Sequence, residues 1–139
     1  MSVPSATPIA DDEILLRRIP PGTNWLEPPD RITSKNFKLD RRRGELGISV
    51  YRQAVVGPQE LLARPGVSPG TVVYRATAGE VRALSNAAGV HLKLDVIPVN
   101  DDDDPGHAEI RGPQPGRLSA AASKALRDLF RPYNPAAAS

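Results

Sequence analysis

Fifteen prolines and eleven glycines punctuate the chain, so few stretches run far without a residue that breaks a helix or turns a strand. That punctuation limits the fold to short elements joined by many loops. A chain of 139 residues is about the usual size of one domain, and two cores of half that size would each be marginal. One domain is expected over residues 11–131, with disordered tails at 1–10 and 132–139. The first tail mixes Ser, Pro, Ala and Thr without an apolar period, and the second ends in Pro-Ala-Ala-Ala-Ser.

Between the breaks, hydrophobic periodicity assigns the elements. Ile14, Leu15, Leu16 and Ile19 predict a strand over Glu13 to Ile19 that stops at Pro20 and Pro21. Ile48-Ser49-Val50-Tyr51-Arg52 alternates as a half-buried strand does, and Thr71 to Ala76 is β-branched after Pro69-Gly70. Val90, Leu92, Leu94 and Val96 alternate with polar residues and predict a further strand closed by Pro98; His107 to Arg111 is a shorter one. Pro58 suits the first position of a short helix over Gln59 to Arg64. Thr77 and Glu80 have the spacing of a capping box, Val81 and Leu84 supply an apolar face, and Gly89 offers a stop. Ser119 caps a last helix in which Ala122, Ala125, Leu126, Leu129 and Phe130 share a face. The long segment Pro20 to Leu46 has no clear period beyond one helical turn at Thr33 to Phe37. The expectation is an α+β fold: a mixed sheet of about four or five short strands with two or three helices.

Composition and motifs remove several function classes. Without cysteine there is no disulfide framework, thiolate metal site or cysteine nucleophile. Gly-x-Gly-x-x-Gly, phosphate-loop and Gly-x-Ser-x-Gly patterns are absent, so ordinary dinucleotide, nucleoside triphosphate and serine hydrolase readings lack support, and no cofactor is expected. No basic start leads into an apolar stretch and no window approaches the roughly 18 apolar residues a bilayer requires, so a cytoplasmic chain without a membrane partner is expected. Eighteen Lys and Arg against sixteen Asp and Glu give a net charge of +2, too near balance to name a polyanionic partner.

Local clusters carry the remaining argument. His107 and Glu109 stand at i and i+2 on a strand, so one face presents an imidazole beside a carboxylate, a general acid/base pair. The alternative is a histidine capping the aspartate turn beside a solvated glutamate. Asp101, Asp103 and His107 are candidate ligands for a hard cation, although the run Asp101 to Asp104 lacks the alternating oxygens and distal Glu of an EF-hand and equally suits a solvated loop. Lys35, Lys38, Arg41, Arg42 and Arg43 surround Phe37, a pattern of phosphate-binding cations with a ring that stacks on bases. Asp40 and Glu45 dilute that charge, which equally suits a solvated loop or a patch for an acidic protein. Trp25 is either a core anchor of its loop or an exposed partner contact.

The Arg17-Arg18-Ile19-Pro20 start, the Ser49-Val50-Tyr51-Arg52 strand and the Pro105-x-His107-Ala108-x-Ile110 segment together resemble a group of short bacterial proteins to which no activity is attached. The resemblance implies a bacterial source. Arg17, Ser34, Tyr51 and Glu109 follow the order of an ADP-ribosyltransferase-like pocket, in which an early arginine, a Ser/Tyr strand and a late glutamate meet around a nicotinamide dinucleotide. The chain departs from that pattern in having no Ser-Thr-Ser element and no Glu-x-Glu. The leading expectation is a small accessory or regulatory protein that binds another protein, encoded beside a larger effector. Its rivals are a nucleotide-modifying enzyme or toxin using Arg17, Tyr51, His107 and Glu109, and a nucleic-acid-binding module built on Lys35 to Arg43.

Overall fold

The computed structural model describes residues 7–22, 26–27, 31–39, 44–99 and 103–133. Among them, eight strands and three α-helices follow one another as β1 Ile14–Ile19, β2 Leu26–Glu27, β3 Arg31–Ile32, β4 Ile48–Arg52, α1 Pro58–Leu62, β5 Val72–Thr77, α2 Ala78–Arg82, β6 Asp95–Pro98, β7 His107–Arg111, α3 Ala120–Leu129 and β8 Arg131–Pro132. A 3-10 turn at Ser34–Phe37 precedes β4, at the place where one helical turn is expected. The architecture is α+β in a single small domain.

Six strands form one sheet in the order β6-β7-β4-β1-β5-β8, while β2 and β3 make a separate ribbon. The sheet is one strand larger than expected, and each of its adjacent pairs is antiparallel, where a mixed sheet was expected. β1, the longest contiguous apolar run near the start, occupies the interior, with Leu16 opposite Tyr51 of β4 and Arg75 of β5. Side chains alternate between two faces. On the first face Leu15, Ile19, Val50, Ala76, Ala108 and Ile110 join Val81 of α2, Leu126 of α3, Phe37 and Phe130 in the main core. On the second face Leu16, Tyr51, Val56, Leu61 and Val73 form a smaller cluster under α1.

Local chemistry explains the helix boundaries. Pro58 is the first residue of α1, where its missing N–H has no helical partner to lose. The capping box opens α2, with Thr77 Oγ1 accepting from the Glu80 N–H at 3.2 Å and Glu80 Oε1 accepting from the Thr77 N–H at 3.0 Å. Ser119 accepts from the Ala122 N–H at 3.1 Å to open α3. Gly47, just before β4, lies where an added Cβ would come within 2.7 Å of the Ile110 carbonyl oxygen, so only glycine lets β7 approach this closely.

Three expectations need correction. The alternating run from Val90 is not a strand until Asp95: Lys93 adopts φ +55°, which turns the chain out of the pleat, and Val90 is 61% exposed. α2 ends at Arg82, and Gly89 instead closes a turn in which the Asn86 side chain accepts from the Ala88 and Val90 N–H groups. The expected tails begin inside the fold at both ends. Ile9 is 5% exposed in the core, while Pro132 pairs with Tyr74 and the Tyr133 N–H donates to the Val73 carbonyl at 2.9 Å. No helix among the described residues is long and apolar enough to cross a membrane.

Candidate functional site

The second face of the sheet gathers polar groups where α1 does not reach. β4 pairs with β7 so that Ser49 lies opposite Glu109 and Tyr51 opposite His107. By the pleat, these four side chains share that face with Arg18 of β1. Ser49 Oγ and His107 Nε2 are 2.9 Å apart, a hydrogen bond between diagonal neighbours. On the far side of the ring, His107 Nδ1 is 3.8 Å from Asp104 Oδ2 and, among the described residues, has no hydrogen-bond partner.

Asp104 is held in place by the turn before β7. Its carbonyl accepts from the His107 N–H at 3.2 Å, and Gly106, at φ +83°, reverses the chain between them. The Tyr51 hydroxyl donates to Asp104 Oδ2 at 2.9 Å, and the Arg64 guanidinium forms an ion pair with Oδ1. Burial, and then the hydrogen bond to the Asp104 carboxylate, push the Tyr51 phenol above its ordinary value. Arg18 donates to the Tyr51 hydroxyl at 3.3 Å, and the guanidinium carbons of Arg18 and Arg64 each lie 5.1 Å from the Tyr51 ring centroid. The result is a contiguous group of Ser49, His107, Asp104, Tyr51, Arg18 and Arg64.

The residues singled out from sequence separate into several places. Tyr51, His107 and Glu109 do share one face, but Glu109 is engaged by Arg111, whose Nε and Nη2 donate to Oε1 at 2.9 and 2.6 Å. The imidazole therefore works against Ser49 and Asp104, not Glu109. Arg17 alternates with Leu15 and Ile19 onto the opposite, helix-covered face, where it donates to the Ser49 and Asn36 carbonyls, each at 2.7 Å. Burial lowers its pKa to about 10. Ser34 belongs to the 3-10 turn that packs on α3, also on that face. The pocket expected from Arg17, Ser34, Tyr51 and Glu109 does not converge.

Phe37 is fully buried with its ring centroid 5.1 Å from that of Phe130, so it is a core residue and has no face to offer a base. Lys35 and Lys38 are exposed. Arg41, Arg42, Arg43 and Trp25 lie outside the described residues, as does Asp101. Among the described residues no three His, Asp or Glu side chains are grouped to hold a metal ion, which leaves Asp103 and His107 without a ligand set.

Ser49, Asp104, Arg18 and Arg64 were missed as site residues. The available signal was parity: Ser49 is two residues from Tyr51 on a strand and must share its face. Asp104 is drawn in by a turn whose geometry the aspartate run conceals. A separate groove of about 840 Å³ runs between α1 and the outer edge of the sheet, lined by Leu62, Val72, Val73, Pro132 and Tyr133 among others. Comparison with protein-family models, curated proteins and solved structures finds no match to this chain.

Proposed function

We propose that the chain is a small bacterial accessory or regulatory protein that acts by binding another protein, with the groove beside β5 as its docking surface. The groove carries this reading. Val72 is 39% and Leu62 37% exposed, and both line it, so apolar area faces solvent at a sheet edge. Among the described residues, β8 pairs with Tyr74 and Arg75 of β5, and the Tyr133 N–H extends the contact to the Val73 carbonyl, short of Val72. An extended apolar segment of a partner laid along that edge would bury both exposed side chains and gain main-chain hydrogen bonds.

A photo-reactive amino acid placed at Val72 tests the reading when the tagged full chain is expressed in its native host. The expected result is one stoichiometric cross-linked protein, absent when the same group is placed at Lys124 on α3 and lost when Leu62→Glu is added. Cross-linking that is equal from both positions would remove the groove as an interface.

A further inference from the structure

The groove reading leaves the polar group on the second face unused, and that group has a specific chemical form. Ser49 Oγ lies 2.9 Å from His107 Nε2, and the other ring nitrogen points toward Asp104 Oδ2 at 3.8 Å. A hydroxyl bonded to an imidazole that faces a carboxylate is the relay by which serine nucleophiles are activated, and it is recognised by geometry and roles whatever the chain order. The distance to Asp104 exceeds a hydrogen bond, as such contacts often do before substrate binds. Both oxygens of Asp104 are already anchored, by Tyr51 and by Arg64, so the carboxylate is fixed in its place.

We infer that Ser49 is a catalytic nucleophile for acyl transfer from a small carboxylic ester, with His107 as its general base. Ser49 Oγ attacks the ester carbonyl carbon as its proton passes to His107 Nε2. The C–O bond to the alcohol then breaks, the leaving oxygen takes that proton, and the acyl group remains on Ser49 as a new ester. Water, deprotonated by the same nitrogen, attacks the acyl-serine and releases the carboxylic acid and the free hydroxyl. Asp104 is a positioning residue that favours the imidazolium formed in each step.

Arg18 supplies the cation for the tetrahedral oxyanion. Arg18 stands two residues after Leu16, which pairs with Tyr51, so it shares the face of Tyr51 and Ser49. Its guanidinium already borders the site through Tyr51. Ser49 is partly exposed on an open sheet face, which favours a small acyl group over a long chain that needs a tunnel. The serine stands within a strand and not at a strand-to-helix turn, which is why no Gly-x-Ser-x-Gly pattern marks it.

The test is reaction of the full chain with a fluorophosphonate, read by peptide mass spectrometry, together with hydrolysis of p-nitrophenyl acetate. The expected result is an adduct on Ser49 that forms faster than on the exposed Ser85 or Ser119, so the comparison is internal to the folded wild type. His107→Gln should slow Ser49 labelling about 100-fold, the lower end of general-base effects, with an unchanged thermal midpoint. Arg18→Gln should lower ester hydrolysis while leaving the Val72 cross-link unchanged. Absence of a Ser49 adduct, labelling no faster than at Ser85, or labelling indifferent to His107→Gln would each overturn the assignment. Ser49→Ala leaves the Val72 cross-link intact, so the two proposals fail separately.

Discussion

Arg17 and Arg18 are adjacent and have opposite fates. Alternation alone puts them on different faces, but their identical chemistry gives no sign of which face the helices cover. Arg17 lies on the helix-covered face, where its guanidinium donates to the Ser49 and Asn36 carbonyls, and hydrogen bonds from a charged group are worth about 1.5–3 kcal/mol each. Arg18, on the open face, keeps its guanidinium beside Tyr51. The raised phenol pKa of Tyr51 makes a prediction at this scale. Its protonated form is favoured in the folded state, so its contribution is fully present below about pH 10, the unfolded value, and is lost as pH rises through the folded value. Urea midpoints measured between about pH 9 and 11 should fall more steeply for wild type than for Tyr51→Phe; equal slopes would contradict the assignment of the shift to this residue.

Elements with side-chain caps were legible in the sequence, because a cap is a local event. Thr77 with Glu80 and Ser119 with Ala122 meet within one turn and require no knowledge of the rest of the fold. The run from Val90 to Val96 misled for the opposite reason. Leu92 N–H donates to the Leu84 carbonyl and Leu94 is buried, so packing against α2 and the core holds Lys93 in a left-handed conformation that the alternating pattern cannot express. That conformation costs a non-glycine residue about 1 kcal/mol. Lys93→Gly should therefore raise stability by about that amount, seen as a higher thermal midpoint, and Lys93→Val should lower it. A lower midpoint for the glycine variant would show that Lys93 contributes a compensating contact.

At the scale of the molecule, composition and element order were enough to give an α+β domain, while strand order was not. Pairing such as β4 with β7 joins residues more than fifty positions apart, and its register decides whether Ser49 meets His107. Nothing in either segment alone encodes that distance. The same pairing explains how a site lacking any familiar motif escaped notice: its members come from β1, β4, β7, the turn before β7 and the segment after α1. Among the described residues, the sheet order also makes β1 the strand that joins β6-β7-β4 on one side to β5-β8 on the other. A chain lacking residues 1–19 should retain no cooperative thermal transition by circular dichroism, whereas one shortened before Thr7 should keep it.

That central position has a consequence for synthesis. β1 leaves the ribosome before either strand it pairs with, so both of its edges lack their partners until β4 and then β5 emerge. Until then it is an unprotected template for strands of other nascent chains. Arg17 and Arg18 sit in the middle of that template, and while it waits their like charges repel a second copy in the same register. One of those charges later turns to the helix-covered face and the other to the open face, so the pair guards the nascent strand before either takes up its place in the finished sheet.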